Sequence, residues 1–209
     1  MLDKKNFYIN GKWVSPVEPR SFEVINPATE EPCAEISLGG KKDVDAAVIS
    51  AKKAFETWGF TTKEERLNLF EKLYEIYKKN WDQMAKTISL EMGAPIDFST
   101  ELQTKTGASH IKSFKNILKN FKFEKILDEE KNQTILYEPK GVCALITPWN
   151  WPINQVNLKV IPALAAGCTV VLKPSEIAPL SSMLLAEMLS LIHISDPRDR
   201  TRSRMPSSA

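Results

Sequence analysis

The stretch EPKGVCALITPWNWPINQVNLKVIPALAAGCTVVLKPSE, from Glu138 to Glu176, constrains the fold more than any other part of the chain. Val142 to Ile146 is a short apolar run, and Pro148 and Pro152 after it forbid regular ladder pairing, which puts Trp149, Asn150 and Trp151 on an irregular loop. Val156, Val160, Ala163 and Leu164 then recur at helical spacing, Gly167 supplies a stop, and Cys168 to Leu172 reads as a second buried strand. Strand, helix and strand make one crossover unit, which demands a parallel pair with the helix packed on its face. Such units bind ligands beyond the carboxyl ends of their strands. Here those ends carry Asn150 after the first strand and Lys173 with Glu176 after the second.

The residues before this unit read as short strands followed by amphipathic helices. Phe7 to Val14 alternates around Asn10-Gly11, the dipeptide suited to a type I′ turn, and predicts a hairpin. Phe22 to Ile25, closed by Asn26-Pro27, predicts another strand. Asp43 and Asp45 fall in the first turn of a helix whose apolar face is expected to carry Val44, Ala47, Val48, Ala51 and Phe55, with Trp58-Gly59 ending it. Thr62 and Glu65 have the spacing of a capping box ahead of Leu67, Phe70, Leu73, Tyr74 and Tyr77. Met84, Ile88 and Met92 extend the helical pattern to Gly93 and Pro95. A further helix is expected to bury Leu102, Ile111, Phe114, Ile117, Leu118 and Phe121 and to turn its lysines to water. Phe123 to Leu127 and Thr134 to Tyr137, separated by a charged run, predict a hairpin leaving the main body.

The chain has 209 residues and is 43% hydrophobic, enough for a sizeable core. Its formal charge of +2 comes from the last residues, where four arginines face Asp196 and Asp199, so the body offers no electrostatic argument for nucleic acid or an anionic membrane. The longest apolar run, Val160 to Leu172, is too short and too interrupted to span a bilayer. Cys33, Cys143 and Cys168 show no metal-ligand or disulfide spacing, which predicts a reducing, cytoplasmic setting. Cys143 and Cys168 lie in apolar strand sequence that keeps a thiol protonated, and His110 has no partnered nucleophile, so all four side chains read as structural.

Taken together and in order, FYINGKWV, FEVINPATEE, DVDAAV, the T-P-W-N-W-P loop and PALAAGCTVVLKPSE resemble the NAD(P)-dependent aldehyde dehydrogenase family from about Phe7 to Met188. The resemblance implies an α/β fold, a partial Rossmann-like cofactor-binding domain of that family with a protruding β-hairpin. It implies that the amide of Asn150 stabilises an oxyanion during oxidation of a small aldehyde. It also implies that Lys173 and Glu176 contact the adenosine ribose of NAD, with Ile146, Thr147, Pro148, Trp149 and Ser175 lining the same cleft. NADP fits less well, because a carboxylate repels a 2′-phosphate. Read without the resemblance, Asn150 is rather a turn residue, Lys173 a solvated strand end and Glu176 a helix-start carboxylate.

By the same resemblance, residues 1–122 and 141–188 form an incomplete cofactor-binding domain and 123–140 an oligomerisation-type hairpin, giving a homo-oligomer when complete. An ordinary surface hairpin is the other reading. The catalytic cysteine, the glutamate base and the pyrophosphate-seating glycine turn belong to later segments, so the catalytic domain is absent and the chain is expected to be inactive alone. Residues 189–209 depart from the family pattern, and LSLIHI matches the translation of a transposon-end adapter, so they read as a non-native tail; a natural basic tail is the alternative. Two functional alternatives stay open, a noncatalytic oligomerising module and a relative that acylates coenzyme A.

Overall fold

The computed structural model describes residues 1–128, 130 and 132–194. Five short strands come first: β1 (Leu2–Lys4), β2 (Phe7–Ile9), β3 (Lys12–Val14), β4 (Ser21–Asn26) and β5 (Glu31–Ser37). Helices α1 (Lys41–Trp58), α2 (Lys63–Lys79), α3 (Trp81–Met92), α4 (Ile96–Phe98) and α5 (Lys105–Asn120) follow, with a π-helical segment, Ser99–Thr104, between the last two. The chain continues through β6 (Glu124–Asp128), β7 (Gln133–Leu136), β8 (Val142–Ile146), α6 (Pro152–Ala165), β9 (Thr169–Lys173) and α7 (Leu180–Ile194).

Asn10 and Gly11 join β2 to β3 with φ of 54° and 72°, both in the left-handed region that a type I′ turn requires. Asn132 likewise takes a positive φ in the turn joining β6 to β7, whose register shifts between Ile126 and Asp128. β5 is central in its own sheet, parallel to β1 and antiparallel to β4. The expected crossover is present, with β8 and β9 parallel and α6 between them in sequence.

The main core forms where α2, α3, α5, α6 and α7 converge. Phe70, Leu73, Tyr77, Met84, Ile88, Ile111, Ile153, Val156 and Ile161 are fully buried there. Each such side chain contributes about 1.5–3 kcal/mol of transfer free energy, so the helical layer carries most of the hydrophobic stabilisation. A smaller cluster of Val24, Ala34, Ile36 and Leu180 ties the amino-terminal sheet to the first turn of α7.

Polar groups lock the layers where carbon packing alone leaves them free to slide. Arg66, buried on α2, donates to the hydroxyl of Thr61 at 2.9 Å and to the carbonyls of Ala165 and Gly59 at 3.3 Å each. Gly167 has a φ of 86°, which favours glycine, and a Cβ there lies 2.4 Å from the Arg66 guanidinium and would displace it from its hydrogen bonds. At Gly107 on α5, a Cβ meets the Tyr77 hydroxyl at 2.4 Å, and that hydroxyl donates to the Thr104 carbonyl at 3.0 Å. Helices α2 and α5 therefore approach as only a glycine contact permits.

Several expectations are corrected. Val44 is 52% exposed because α1 turns Ala51 and the Asp43 carboxylate inward instead. Leu102 is 47% exposed: the wider π-helical turn rotates it out and buries Ser99, Gln103 and Thr104. Ile117 and Phe121 are also exposed, Phe121 packing edge-on against Phe123 and Tyr137 at the hairpin base. The second crossover strand is half-buried over Val170–Leu172 rather than fully buried. Helix α7 runs on past Met188 to Ile194, with Leu189 and Ile192 extending the stripe of Leu185 and Met188 onto the core. The remainder of the expected tail, 195–209, lies outside the described residues.

Candidate functional site

The register of β8 against β9 builds the site. Ile146 is the partner of Lys173, and the next amide, Thr147 N–H, donates to the Lys173 carbonyl at 3.3 Å. The two strands therefore end level, and the loops leaving them start from one edge of the sheet. One loop presents Ile146, Pro148, Trp149 and Asn150 to solvent, with Thr147 buried beneath. The other presents Lys173 and Glu176, whose ammonium and carboxylate pair at 2.9 Å. Hydrogen bonding to Lys173, aided by their charge attraction, holds the Glu176 carboxyl below its ordinary range. Ser175 is buried, and its hydroxyl accepts the Ile177 N–H at 3.2 Å, so this side chain shapes the turn from inside.

The asparagine loop is held by its neighbours. Trp151 precedes Pro152, which favours extended backbone for the residue before it, yet Trp151 takes the left-handed φ 55° and ψ 58°. A left-handed tryptophan costs about 1–3 kcal/mol, offset in part by its ring packing edge-on against Phe98 at 5.5 Å. Just behind the loop, α6 is bolted to α5 twice. Asn157, fully buried, donates to the Gly107 carbonyl at 2.9 Å, and Asn154 lies 2.7 Å from His110 Nε2. The loop thus starts from a fixed strand and enters a fixed helix.

None of the three free cysteines reaches this edge. Cys143 stands near the amino end of β8, and Cys168 precedes β9, five residues from Lys173, or about 16 Å along an extended strand. Burial raises the Cys143 thiol pKa, and contact with Cys168 raises it further. Cys33 is in the other sheet, with its thiol donating to the Val24 carbonyl at 3.2 Å and its pKa raised by burial. Among the described residues there is no cluster able to hold a metal ion and no helix long and apolar enough to cross a membrane.

Three supporting residues escape sequence reasoning. Asn157 and Glu91 carry the one available signal, a polar side chain on an otherwise apolar stripe, between Val156 and Val160 on α6 and beside Ile88 on α3. The Phe98 contact has no local signal, because it depends on how α4 packs.

Comparison with known proteins adds a separate line of support. Residues 13–195 match the aldehyde dehydrogenase family. The chain is 47% identical to a 3-succinoylsemialdehyde-pyridine dehydrogenase of a Pseudomonas species, over 93% of this chain and 40% of that protein. Among solved structures, an aldehyde dehydrogenase of Bartonella henselae aligns with a TM-score of 0.89 and 58% identity, covering 91% of this chain and 40% of that one. A variant of aldehyde dehydrogenase C from Pseudomonas syringae, complexed with NAD+ and octanal, aligns with a TM-score of 0.86 and 44% identity over 89% of this chain and 38% of that one. The chain spans about 40% of the length of the curated relatives it matches.

Proposed function

Since the chain belongs to the aldehyde dehydrogenase family, we propose that it supplies the oxyanion-binding amide and the adenosine-binding half of an NAD-dependent enzyme that oxidises an aldehyde to a carboxylic acid. The observation that carries this reading is the level ending of β8 and β9, which launches the Asn150 loop and the Lys173–Glu176 turn from one edge. The complex of a relative with NAD+ and octanal supports the choice of cofactor and substrate class.

An exposed ammonium and carboxylate 2.9 Å apart suit a vicinal diol, one donating to its oxygens and the other accepting from its hydroxyls. Lys173 and Glu176 would in this way hold the adenosine ribose. The carboxylate of Glu176 disfavours a phosphate at the 2′ position, and NAD is therefore favoured over NADP. Bound there, the dinucleotide supplies the hydride acceptor. The side-chain NH2 of Asn150 donates to the aldehyde oxygen as the carbonyl carbon becomes tetrahedral and charge gathers on that oxygen. The cysteines of this chain lie too far from that point to attack there. The nucleophile and the water-activating base would then come from the part of the relatives' length that this chain does not span, which leaves the 209 residues inactive alone. Three free thiols fit a reducing, cytoplasmic setting.

Replacing Asn150 by Ala in the complete enzyme tests the assignment. Loss of one oxyanion donor is expected to lower kcat by about 10²–10³-fold. The KM for NAD should barely move, because the amide meets the reacting oxygen and not the nucleoside. Steady-state kinetics with unchanged kcat would remove Asn150 from the chemistry.

A further inference from the structure

Glu91 is a charged residue with 1% exposure, one position from the end of α3. Its carboxylate accepts the Leu180 N–H and, at 3.1 Å, the Ser181 N–H. These are the first amides of α7, which have no carbonyl four residues back within their own helix. Among the described residues no cationic side chain bridges Glu91. The two amides are the hydrogen-bond donors that meet the carboxylate, and its charge helps raise the pKa of the Cys33 thiol on β5.

The position of this contact along the chain gives it meaning. Between β9 and α7 lie residues 174–179, with no regular structure, and this segment carries Glu176. At its start, the Lys173 carbonyl accepts the Thr147 N–H. At its end, Leu180 and Ser181 are held by Glu91, which lies 89 residues earlier in the sequence than Leu180. Within the segment the Ser175 turn, the pairing of Glu176 with Lys173 and the buried Ala178 and Pro179 add further restraint. A glutamate suits the anchor point, since two converging N–H groups at a helix start call for a side chain with two acceptor oxygens.

We propose that Glu91 is a positioning residue that fixes the Lys173–Glu176 turn by anchoring the first amides of α7. Its functional weight rests on the reading of that turn as the ribose contact. Hydrogen–deuterium exchange on the complete enzyme, with and without saturating NAD, tests both for wild type, E91A and E91Q. In E91A, exchange across 174–183 is expected to quicken by about tenfold or more, while α2 peptides keep their protection. E91Q retains one carbonyl acceptor and should restore part of the difference. NAD should protect 173–177 in wild type and lose that effect in E91A. Equal acceleration in α2 and at 174–183, or none at 174–183, overturns the positioning role. If E91A loosens the segment while NAD leaves wild-type 173–177 unchanged, the anchor stands and the ribose reading falls.

Discussion

Burial disfavours the charged form of Glu91 and pushes its carboxyl up to about 7, against the pull of the two amides and the Ser181 hydroxyl. In the unfolded chain a glutamate titrates near about 4.3. Between those two values the folded protein holds a proton that the unfolded chain has released. The contribution of this group to stability is therefore full below about pH 4 and is lost as the pH rises through about 7. Urea denaturation of wild type at pH 5 and pH 7.5 should show stability falling across that window. E91Q, which cannot titrate, should flatten this part of the profile. An equally steep fall in E91Q would place the linkage on another group. Asn150, by contrast, is exposed, and the amide that matters most to the proposed chemistry is a small matter for folding.

Among the elements, α2 shows how directly sequence can dictate structure. The Thr62 hydroxyl accepts the Glu65 N–H at 3.2 Å, and the Glu65 carboxylate accepts the Thr62 N–H at 2.8 Å, which satisfies two backbone donors at the helix start. Thr62→Ala is expected to lower stability by about 1 kcal/mol in thermal denaturation, with no change in the helical core. An unchanged melting temperature would mean that water replaces the cap without cost. The same short-range logic made the Asn10-Gly11 hairpin and the Gly93 stop legible, because each depends on residues within a few positions of one another, and the crossover followed from its unbroken strand–helix–strand pattern. The parallel pairing of β1 with β5 was not legible. Leu2 meets Ala34 across about thirty residues, and EPCAEIS shows alternation only at Ala34 and Ile36. The π-helical segment was equally hidden, since packing of Gln103 and Thr104 into the helical layer decides it, and Gln103 reaches the Met92 sulfur at 3.3 Å. For the site, residue identities were readable from the family pattern. The supports at Glu91, Asn157 and Phe98 needed the fold.

Over the whole molecule, apolar surface concentrates on the hairpin of β6 and β7, where Ile126 and Leu127 are each 61% exposed and Leu136 is 59% exposed. Neighbouring apolar side chains on a projecting ribbon suit pairing with another copy of the chain. We propose that this ribbon pairs with a second copy, so that replacing Ile126 and Leu136 together by Asp lowers the mass seen in light scattering to that of a monomer. A mass unchanged by the replacement would overturn the pairing. The candidate cofactor site lies where β8 and β9 end together. A crystal structure of the complete enzyme with NAD tests it most directly. The adenosine ribose hydroxyls are expected within hydrogen-bond distance, about 2.7–3.2 Å, of the Lys173 ammonium and the Glu176 carboxylate, with the Asn150 amide facing the nicotinamide end. A dinucleotide bound away from the ends of β8 and β9, with these three side chains still in solvent, would contradict the account.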